Sequence, residues 1–422
     1  MKKIIFILPL LLCGLWSCSD NVSETVTYKI NEPVFMSVQD FRSAVKVSAR
    51  SEQIENYGKI CFYEGFMYIS EAGKGIHIID NRNPSLPKNV GFIELLGNAD
   101  LAIRNNQLYA DSYIDLVWFD VSNPALPELN GRLEDIFPKA LPPMLNEFGY
   151  DYAMCYDQNT EKAVVVGWVL KERTDNINSY KGGWFGTEDK LYSSNTNLAT
   201  GSAGSSSGIN GSMSRFTLYD NKLYTVTENY MTIFDLKELT PTKLGESTYI
   251  GWNVETIFSY KDNMFLGTPT GMIIYSVANP IKPVYMSSIS HVFGCDPVVV
   301  YNDLAYVTIH SGTACGQNNN ELLIIDVKDV KNPKQLASYT MSSPKGLGID
   351  KGLLFLCDDG LKIFTITTAD EMYLKSLKHI QGMNGYDLIA FNNTLMMIAE
   401  DGFYQYDYSD INNIKFLSKF EF

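Results

Sequence analysis

Short stretches in which apolar and polar residues alternate follow one another along most of the chain. An early group, beginning at Lys59, reads KICFYEG, FMYISEA, GIHIIDN and KNVGFIE, and a later group, beginning at Ser214, reads SRFTLYD, KLYTVTE, YMTIFDL and TKLGEST. Alternation with a period of two predicts β-strands with one buried face, and turn residues separate the stretches. No stretch keeps a helical period, so the pattern predicts an all-β protein.

The groups of strands recur at a spacing of about forty residues wherever nothing is inserted, which is the period of a four-stranded propeller blade. Aligning them gives units that begin near Lys59, Ala99, Ser214, Val254, Pro297, Gly346 and Asp387. We therefore predict a β-propeller of about seven four-stranded blades with a long loop insertion. The number becomes eight if the insertion supplies a further, incomplete blade.

A turn signal follows the third strand of several units. IHIIDNRNPSLP begins at Ile76, and its order of apolar run, acid, Asn-Pro and second proline returns in VWFDVSNPALP and MIIYSVANPIKP. Proline fixes its own φ, has no N–H and pushes the preceding residue away from helical geometry, so this pattern predicts a reversal into the outermost strand. The last two units lack the prolines, and their assignment as blades depends on strand alternation alone.

These repeats carry a resemblance to a known family. Units that end in an apolar run followed by Asp-Val-Ser-Asn-Pro, a second proline and Val-Gly are similar to LVIVD repeats. With stretches such as YADSYIDLVWFDVSNP and EDGFYQYDYSD, nearly the whole chain after about Glu32 resembles the lipid-anchored LVIVD-repeat β-propeller proteins of the Bacteroidota. Most members of that family are uncharacterised, so the resemblance implies a propeller in a bacterial envelope and no known reaction.

The N-terminus has the layout of a secretory signal, with two lysines, an apolar run from Ile4 to Leu12 and then small or polar residues. The sequence LWSC ending at Cys18 resembles a lipobox, which implies that Cys18 is lipidated; the alternative is an ordinary signal peptide with an incidental cysteine. Several acyl chains hold a protein at a membrane, since each buried methylene contributes roughly 0.8 kcal/mol. We expect a tethered globule without a transmembrane helix.

The expected domain layout is a signal peptide over 1–17, a lipidated tether over 18–50 and a propeller over 51–422, interrupted at about 136–212. The interruption contains a predicted hairpin, DYAMCYDQ with KAVVVGWVLKE, and then a Gly-, Ser- and Asn-rich stretch that is typical of a long loop. Asp20 and Glu24 match the acidic export signals that the resemblance implies. We expect lipid anchoring in the outer membrane, on the cell surface or on the periplasmic face.

The formal net charge is −14, and loss of Lys2 and Lys3 with the signal peptide makes the mature chain two units more negative. Such a charge argues against a nucleic-acid partner, because phosphate backbones are repelled. Cys295 precedes an innermost strand and Cys315 follows a second strand, so both are expected on one face of the disc. We predict a Cys295–Cys315 disulfide, with two separate thiols as the alternative.

Acidic residues recur at or near one repeat position on that same face, where the innermost strands begin: Asp100, Glu255, Asp296 and Asp387. One interpretation is a ring at the channel mouth that attracts a cation or a basic ligand group. The other is that each carboxylate accepts N–H groups of a neighbouring blade and helps to close the ring.

Exposed aromatic residues favour a binding function. Tyr180, Trp184 and Phe185 lie beside glycines in the insertion, where they can stack on sugar rings or fill a protein pocket. The alternative is that Trp184 folds back onto the disc. We predict a non-enzymatic binding module without a cofactor, whose partner is an envelope protein or glycan held at the loop-rich face.

An enzyme is the alternative hypothesis. His291, His310 and Asp296 are the weak candidates for a metal site on this face, which would make the protein a metal-assisted hydrolase or lyase. The chain has no spaced metal motif, no phosphate-binding glycine loop and no G-x-S-x-G elbow. We therefore assign no catalytic residue.

Overall fold

The structure, a computed structural model, describes residues 25–49, 52–138, 140–144, 148–156, 163–176, 207, 209–227, 229–251, 254–290, 297–310, 320–367 and 373–422. Strands make up almost all of its regular structure, as the alternating pattern predicts.

Three elements precede the first blade: β1 (Thr25–Ser37), α1 (Val38–Ser43) and β2 (Lys46–Ser48). Ser37 caps α1, because its hydroxyl accepts the N–H of Asp40 at 3.0 Å. The sequence assigned residues 18–50 to a tether, whereas the part of that stretch described by the structure is folded.

Blades one and two each come from one continuous stretch of chain, and their strands are β3 (Tyr57–Tyr63), β4 (Phe66–Glu71), β5 (Gly75–Asp80), β6 (Lys88–Glu94), β7 (Leu101–Arg104), β8 (Gln107–Ser112), β9 (Asp115–Asp120) and β10 (Glu128–Leu133). β2 pairs with β6 and widens the first blade at its outer edge.

The insertion contains α2 (Tyr152–Tyr156), β11 (Ala163–Asn176) and β12 (Ile209–Asn210). The predicted hairpin is wrong, because its first arm forms α2 and β11 pairs instead with β1, from Thr25↔Asn176 to Ser37↔Ala163. Residues 152–156 contain no β-branched residue, whereas β1 offers an alternating partner of matching length. We call β1 with β11 the β1–β11 ribbon.

Five further blades complete the disc, and their strands are β13 (Phe216–Tyr219), β14 (Lys222–Thr227), β15 (Tyr230–Asp235), β16 (Thr242–Lys243), β17 (Thr248–Tyr249), β18 (Thr256–Tyr260), β19 (Asn263–Thr268), β20 (Gly271–Ser276), β21 (Val284–Ser290), β22 (Val298–Tyr301), β23 (Leu304–Ile309), β24 (Glu321–Asp326), β25 (Lys334–Thr340), β26 (Leu347–Asp350), β27 (Leu353–Cys357), β28 (Leu361–Ile366), β29 (Leu374–Ile380), β30 (Gly385–Phe391), β31 (Thr394–Ala399), β32 (Gly402–Asp407) and β33 (Lys415–Glu421). Each blade is an antiparallel meander, and β16 and β17 share the outermost place in blade three. The prediction of seven four-stranded blades is confirmed.

The ring closes by side-chain packing between blades seven and one. The rings of Tyr57 and Tyr386 lie 4.9 Å apart, and those of Phe62 and Phe391 lie 5.8 Å apart. Asn81 Nδ2 also donates to the Gln405 side chain at 2.9 Å. The last strand, β33, belongs to its own blade, so no strand is exchanged at the closure.

A two-residue hairpin joins the first and second strands of every blade. Both turn residues have positive φ in six of the seven, as in Asn105-Asn106 and Asn392-Asn393. Type I′ turns need this geometry and match the twist of the strands, which explains the Asn, Asp and Gly residues there. We call the side of the disc with these turns the hairpin face, and the opposite side, where blades are connected, the connection face.

The repeated acid after the third strand has a structural role. Asp120 accepts the N–H of Ser122 at 2.7 Å, and Asp326 accepts that of Lys328 at 2.9 Å. In the last blade, which lacks the proline, a different acid forms the corner, because Asp410 accepts the N–H of Asn412 at 3.0 Å. In this blade, an acidic side chain that binds the backbone two residues ahead therefore replaces the Asn-Pro corner.

Candidate functional site

The chain that ends the insertion lies along the innermost strands, at the centre of the disc. Ile209 pairs with Phe62, and Asn210 pairs with Cys61, so β12 adds to the inner edge of blade one. Gly211 then donates its N–H to the oxygen of Ile60 at 2.6 Å. The sequence assigned this stretch to a long loop, whereas the structure places residues 209–214, the channel segment, inside the channel.

Asn210 ties the channel segment to two further blades. Its side-chain Nδ2 donates to the oxygens of Leu101 at 2.9 Å and Phe216 at 3.1 Å, both on innermost strands. It also donates to Ser214 Oγ at 3.0 Å. One amide thus links blades one, two and three around the channel.

The mouth of the channel on the connection face is lined by one repeat position, four residues before the last residue of each innermost strand. In chain order it is occupied by Lys59, Asp100, Arg215, Thr256, Pro297, Gly346 and Asp387. The position carries charges of both signs, and Glu255 is adjacent to it. The sequence analysis missed Lys59 and Arg215 because it searched this position for acids alone.

Asp100 uses both of its carboxylate oxygens within the protein. Oδ1 accepts the N–H of Leu101 at 2.7 Å and the hydroxyl of Ser214 at 2.9 Å, and Oδ2 accepts the N–H of Arg215. Ser214 and Arg215 begin blade three, so this carboxylate joins blades two and three. Burial raises the pKa of Asp100.

Asp387 holds the channel segment from blade seven. Its Oδ1 accepts the hydroxyl of Ser212 at 2.5 Å and the N–H of Leu388 at 2.8 Å, and the residue is fully buried. Burial raises the pKa of Asp387 to about 7. Asp100 therefore makes the blade-joining contact of the second interpretation, whereas Asp387 binds the channel segment and its buried Oδ2 has no hydrogen-bond partner among the described residues.

The two cations of this position differ from the acids. Neither the Lys59 ammonium nor the Arg215 guanidinium has a hydrogen-bond or ion-pair partner among the described residues. Burial lowers the pKa of Lys59 to about 8, the charge of Arg215 lowers it further, and Asp100 opposes the shift. Among the described residues, the channel mouth therefore has two cations without hydrogen-bond or ion-pair partners, beside Asp100, whose two oxygens are engaged, and Asp387, whose Oδ2 is not.

A cavity of about 440 Å³ opens beside this mouth, between blades two and three. Residues 135–138, 140 and 141, which follow blade two in the chain, wall one side of the cavity. The rest of the wall comes from the two blades. The lining includes four aromatic residues, three acids and two bases: Tyr113, Phe137, Phe216, Tyr230, Asp100, Asp111, Asp135, Arg215 and Lys243.

Asp111 is a titratable group of the cavity wall whose pKa is raised. Its Oδ1 accepts the N–H groups of Ala99 at 2.7 Å and Asp100 at 2.9 Å and the Asn98 amide at 3.1 Å. Burial raises the pKa of Asp111 to about 7. Its Oδ2 has no partner among the described residues, so it can accept or donate a hydrogen bond to a ligand.

The remaining predicted site residues have varied outcomes. Glu255 lies on the connection face and donates its backbone N–H to the oxygen of Gly267. His310 is buried at the end of the second strand of blade five. The others lie outside the described residues: Cys18, Tyr180, Trp184, Phe185, His291, Cys295, Asp296 and Cys315.

Within the described ranges, no three His, Cys, Asp or Glu side chains are grouped to hold a metal ion. No helix in those ranges has the length and apolar character to cross a bilayer. Cys61, Cys155 and Cys357 are free, buried thiols, and burial raises the pKa of each.

We expect the contribution of Asp387 to stability to fall as pH rises from about 4 to about 7, because the folded state keeps a proton that the unfolded state releases. Asp387→Asn removes this titration. The difference in free energy of unfolding between variant and wild type should therefore shift in favour of the variant between about pH 4 and about pH 7. Thermal unfolding of both proteins measures this, and a difference independent of pH would contradict it.

A family profile described as LVIVD repeat matches residues 58–93 and 97–135, which are blades one and two. Among solved structures, the chain is similar to the computationally designed Ika8 protein, with 10% identity, a TM-score of 0.49 and 87% of each chain covered. It is also similar to Hsv2 of Kluyveromyces lactis, with 11% identity, a TM-score of 0.45, and 87% of this chain and 99% of that chain covered.

A functionally unknown protein of Desulfotomaculum acetoxidans has 10% identity and a TM-score of 0.49, with 86% of this chain and 96% of that chain covered. No curated protein matches the chain. Similarity at this level carries no argument about function. The chain is therefore a seven-bladed β-propeller whose first two blades are LVIVD repeats.

Proposed function

We propose that this protein is a lipid-anchored binding module of a bacterial cell envelope, and that it recognises a glycan at the cavity between blades two and three. The observation that supports this proposal is the cavity itself. Its volume of about 440 Å³ lies in the range of about 300–1,000 Å³ that is usual for small-ligand sites, and aromatic side chains line it beside a few polar groups. A cavity of this volume can enclose a small ligand such as a sugar ring, whereas a protein partner would bind through about 800 Å² of surface, most of it outside the cavity.

The N-terminal anchor fits this arrangement. The part of the chain that the structure describes begins at Thr25, seven residues after Cys18, so a lipid on Cys18 would hold Thr25 within roughly 25 Å of the membrane. The base of the β1–β11 ribbon packs on the connection face, where Val164 contacts Phe41 and Tyr113. Thr25 pairs with Asn176 at the opposite end of this ribbon, so the anchor would hold the far end of the ribbon at the membrane.

A glycan-capture experiment tests the proposal with two matched tyrosines. Tyr230 lines the cavity, is 44% exposed and has its ring 5.7 Å from that of Tyr249. Tyr285, on the outermost strand of blade four, is 54% exposed and has its ring 5.8 Å from that of Tyr275. Both can be replaced by alanine with similar effects on the fold.

The mature protein, solubilised in detergent, is incubated with glycans released from native envelopes, and bound sugar is quantified. We expect Tyr230→Ala to lower capture about tenfold, because a lost aromatic contact costs about 1.5 kcal/mol, and Tyr285→Ala to leave it unchanged. Equal capture by both variants and the wild type would contradict the proposal. In a separate experiment, Trp184→Ala tests whether the aromatic residues of the insertion, Tyr180, Trp184 and Phe185, contribute to glycan capture.

Acid–base catalysis on a glycan in the same cavity is the second candidate function. The observation in its favour is the pKa of Asp111, raised to about 7, which suits a general acid or base. Its Oδ1 is held by three N–H donors, which also gives Asp111 a structural role. New reducing ends in captured glycan, lost on Asp111→Asn, would establish this function; unaltered glycan supports binding alone.

A further inference from the structure

We propose that the ligand of this cavity is a uronic acid, a sugar whose ring carries a carboxylate beside its hydroxyls, and that Arg215 binds the carboxylate. This inference rests on the proposed function, because it assigns a ligand class to the same cavity.

Two of the three acids of the cavity wall, Asp100 and Asp135, are engaged by the protein itself. Both oxygens of Asp100 accept hydrogen bonds from Leu101, Ser214 and Arg215. Asp135 is paired with the Arg42 guanidinium at 3.2 Å. A cationic ligand would have to compete with these contacts or pair with Asp111, whose carboxyl is only partly ionised at neutral pH because burial raises its pKa to about 7.

Arg215 is the complementary case. Its backbone N–H binds Asp100, whereas its guanidinium has no partner among the described residues and borders both cavity and channel mouth. The planar guanidinium presents parallel N–H donors that match the two oxygens of a carboxylate. Lys59 adds positive potential near Arg215, since the charge of Arg215 lowers the pKa of Lys59.

The rest of the wall suits a sugar ring. The unpartnered Oδ2 of Asp111 can accept a hydrogen bond from a ring hydroxyl, as neutral sugars and uronic acids both require. Phe137 and Tyr230 offer aromatic surface against which the C–H groups of a ring can pack. A ligand with both a carboxylate and hydroxyls can therefore bind Arg215 and Asp111, which line the same cavity.

The net charge of −14 repels an acidic ligand at long range. Screening limits that repulsion to about 8 Å at physiological ionic strength, so the charges lining the cavity decide binding at contact. Added salt should then affect the association rate more than the selectivity between acidic and neutral sugars.

The test compares glucuronate and galacturonate with glucose and galactose, measured by calorimetry on the mature protein. We expect at least one uronate to bind about tenfold or more tightly than its neutral parent, because an arginine–carboxylate pair is a charge-assisted bidentate contact. Methyl glucuronide is a further probe. Its anomeric oxygen is capped by a methyl group as in a glycosidic bond, so it distinguishes binding of the end of a glycan chain from binding of a free monosaccharide.

Two arginine variants complete the test. Arg215→Gln should reduce uronate binding to the level of the neutral sugar without lowering the melting temperature, since the guanidinium has no hydrogen-bond or ion-pair partner to lose among the residues that the structure describes. Arg82→Gln, at an exposed arginine paired with Asp80, is the control and should leave binding unchanged. Lys59→Gln should weaken uronate binding less than Arg215→Gln does.

Two results would overturn the inference. If neutral sugars bind as tightly as uronates and Arg215→Gln changes nothing, the cavity is still a sugar site and only the acidic ligand is refuted. If no uronate binds at millimolar concentration, the inference fails, and glycan capture with Tyr230→Ala decides separately whether the proposed function fails with it.

Discussion

Replacement of Asp115 by alanine should lower the free energy of unfolding by about 3–5 kcal/mol, because it removes the shared anion of a buried charge cluster. Asp115 is fully buried. Its carboxylate accepts two N–H groups of Arg42, at 2.8 and 3.1 Å, and one of Arg132 at 2.8 Å. It also accepts the backbone N–H of Asp135 at 2.8 Å. Without it, two largely buried guanidinium groups lose their principal partner.

The measurement is urea unfolding of wild type, Asp115→Ala and Asp115→Asn, with Glu94→Ala as a control. Glu94 also pairs with a basic residue, Lys46, but that pair is exposed and should contribute little. Asp115→Asn keeps an acceptor and should lie between the extremes. A loss below about 1 kcal/mol for Asp115→Ala would mean that Arg42 and Arg132 find other partners or water.

Gly211→Ala should destabilise the protein by about 3 kcal/mol and release the channel segment. A Cβ there would lie 2.2 Å from Asp387 Oδ2 and 2.4 Å from Ile60 Cγ1, and both residues are almost completely buried. Neither neighbour has space to retreat, so the strain falls on the contact between the channel segment and blade seven.

Hydrogen exchange reports this release directly. Amides of residues 209–214 should exchange faster in Gly211→Ala than in the wild type, while the outer strands keep their protection. Gly167→Ala is the control, because its Cβ would approach only Val34, at 4.0 Å. Equal protection in the channel segment of Gly211→Ala and wild type would show that the segment does not depend on this close approach.

Local patterns were sufficient to predict the blades. The predicted unit starts, such as Lys59, Pro297 and Asp387, fall within two residues of innermost strands, because alternation and two-residue turns are encoded over a few neighbouring residues. The Asn-Pro corners appear where predicted, as in the bond from Leu86 N–H to the Asn83 oxygen at 2.9 Å.

Long-range contacts could not be predicted in the same way. β1 and β11 pair across more than a hundred residues of chain, and no spacing rule connects them. The channel segment follows a Gly- and Ser-rich stretch and has only Ile209 and Met213 as large apolar residues, so its composition is typical of a loop. The channel segment is buried because the ring of blades places it at the centre of the disc.

The charges at the channel mouth show a third limit. Repeat alignment identified Asp100 and Asp387, but not that Asp100 joins two blades or that Asp387 binds the channel segment. The same alignment contained Lys59 and Arg215, and a search for both charge signs would have found them. What the sequence lacks is the pairing, since the partners of Asp100 and Asp387 come from distant parts of the chain.

The central claim is that the connection face at blades two and three holds the ligand. A photoreactive phenylalanine analogue in place of Tyr230, which lines the cavity, tests it in living cells against the same analogue in place of Tyr301, which ends its strand at the hairpin face. We predict a carbohydrate-containing adduct at position 230 and none at position 301. An adduct at 301 alone, or at neither position, would contradict the account.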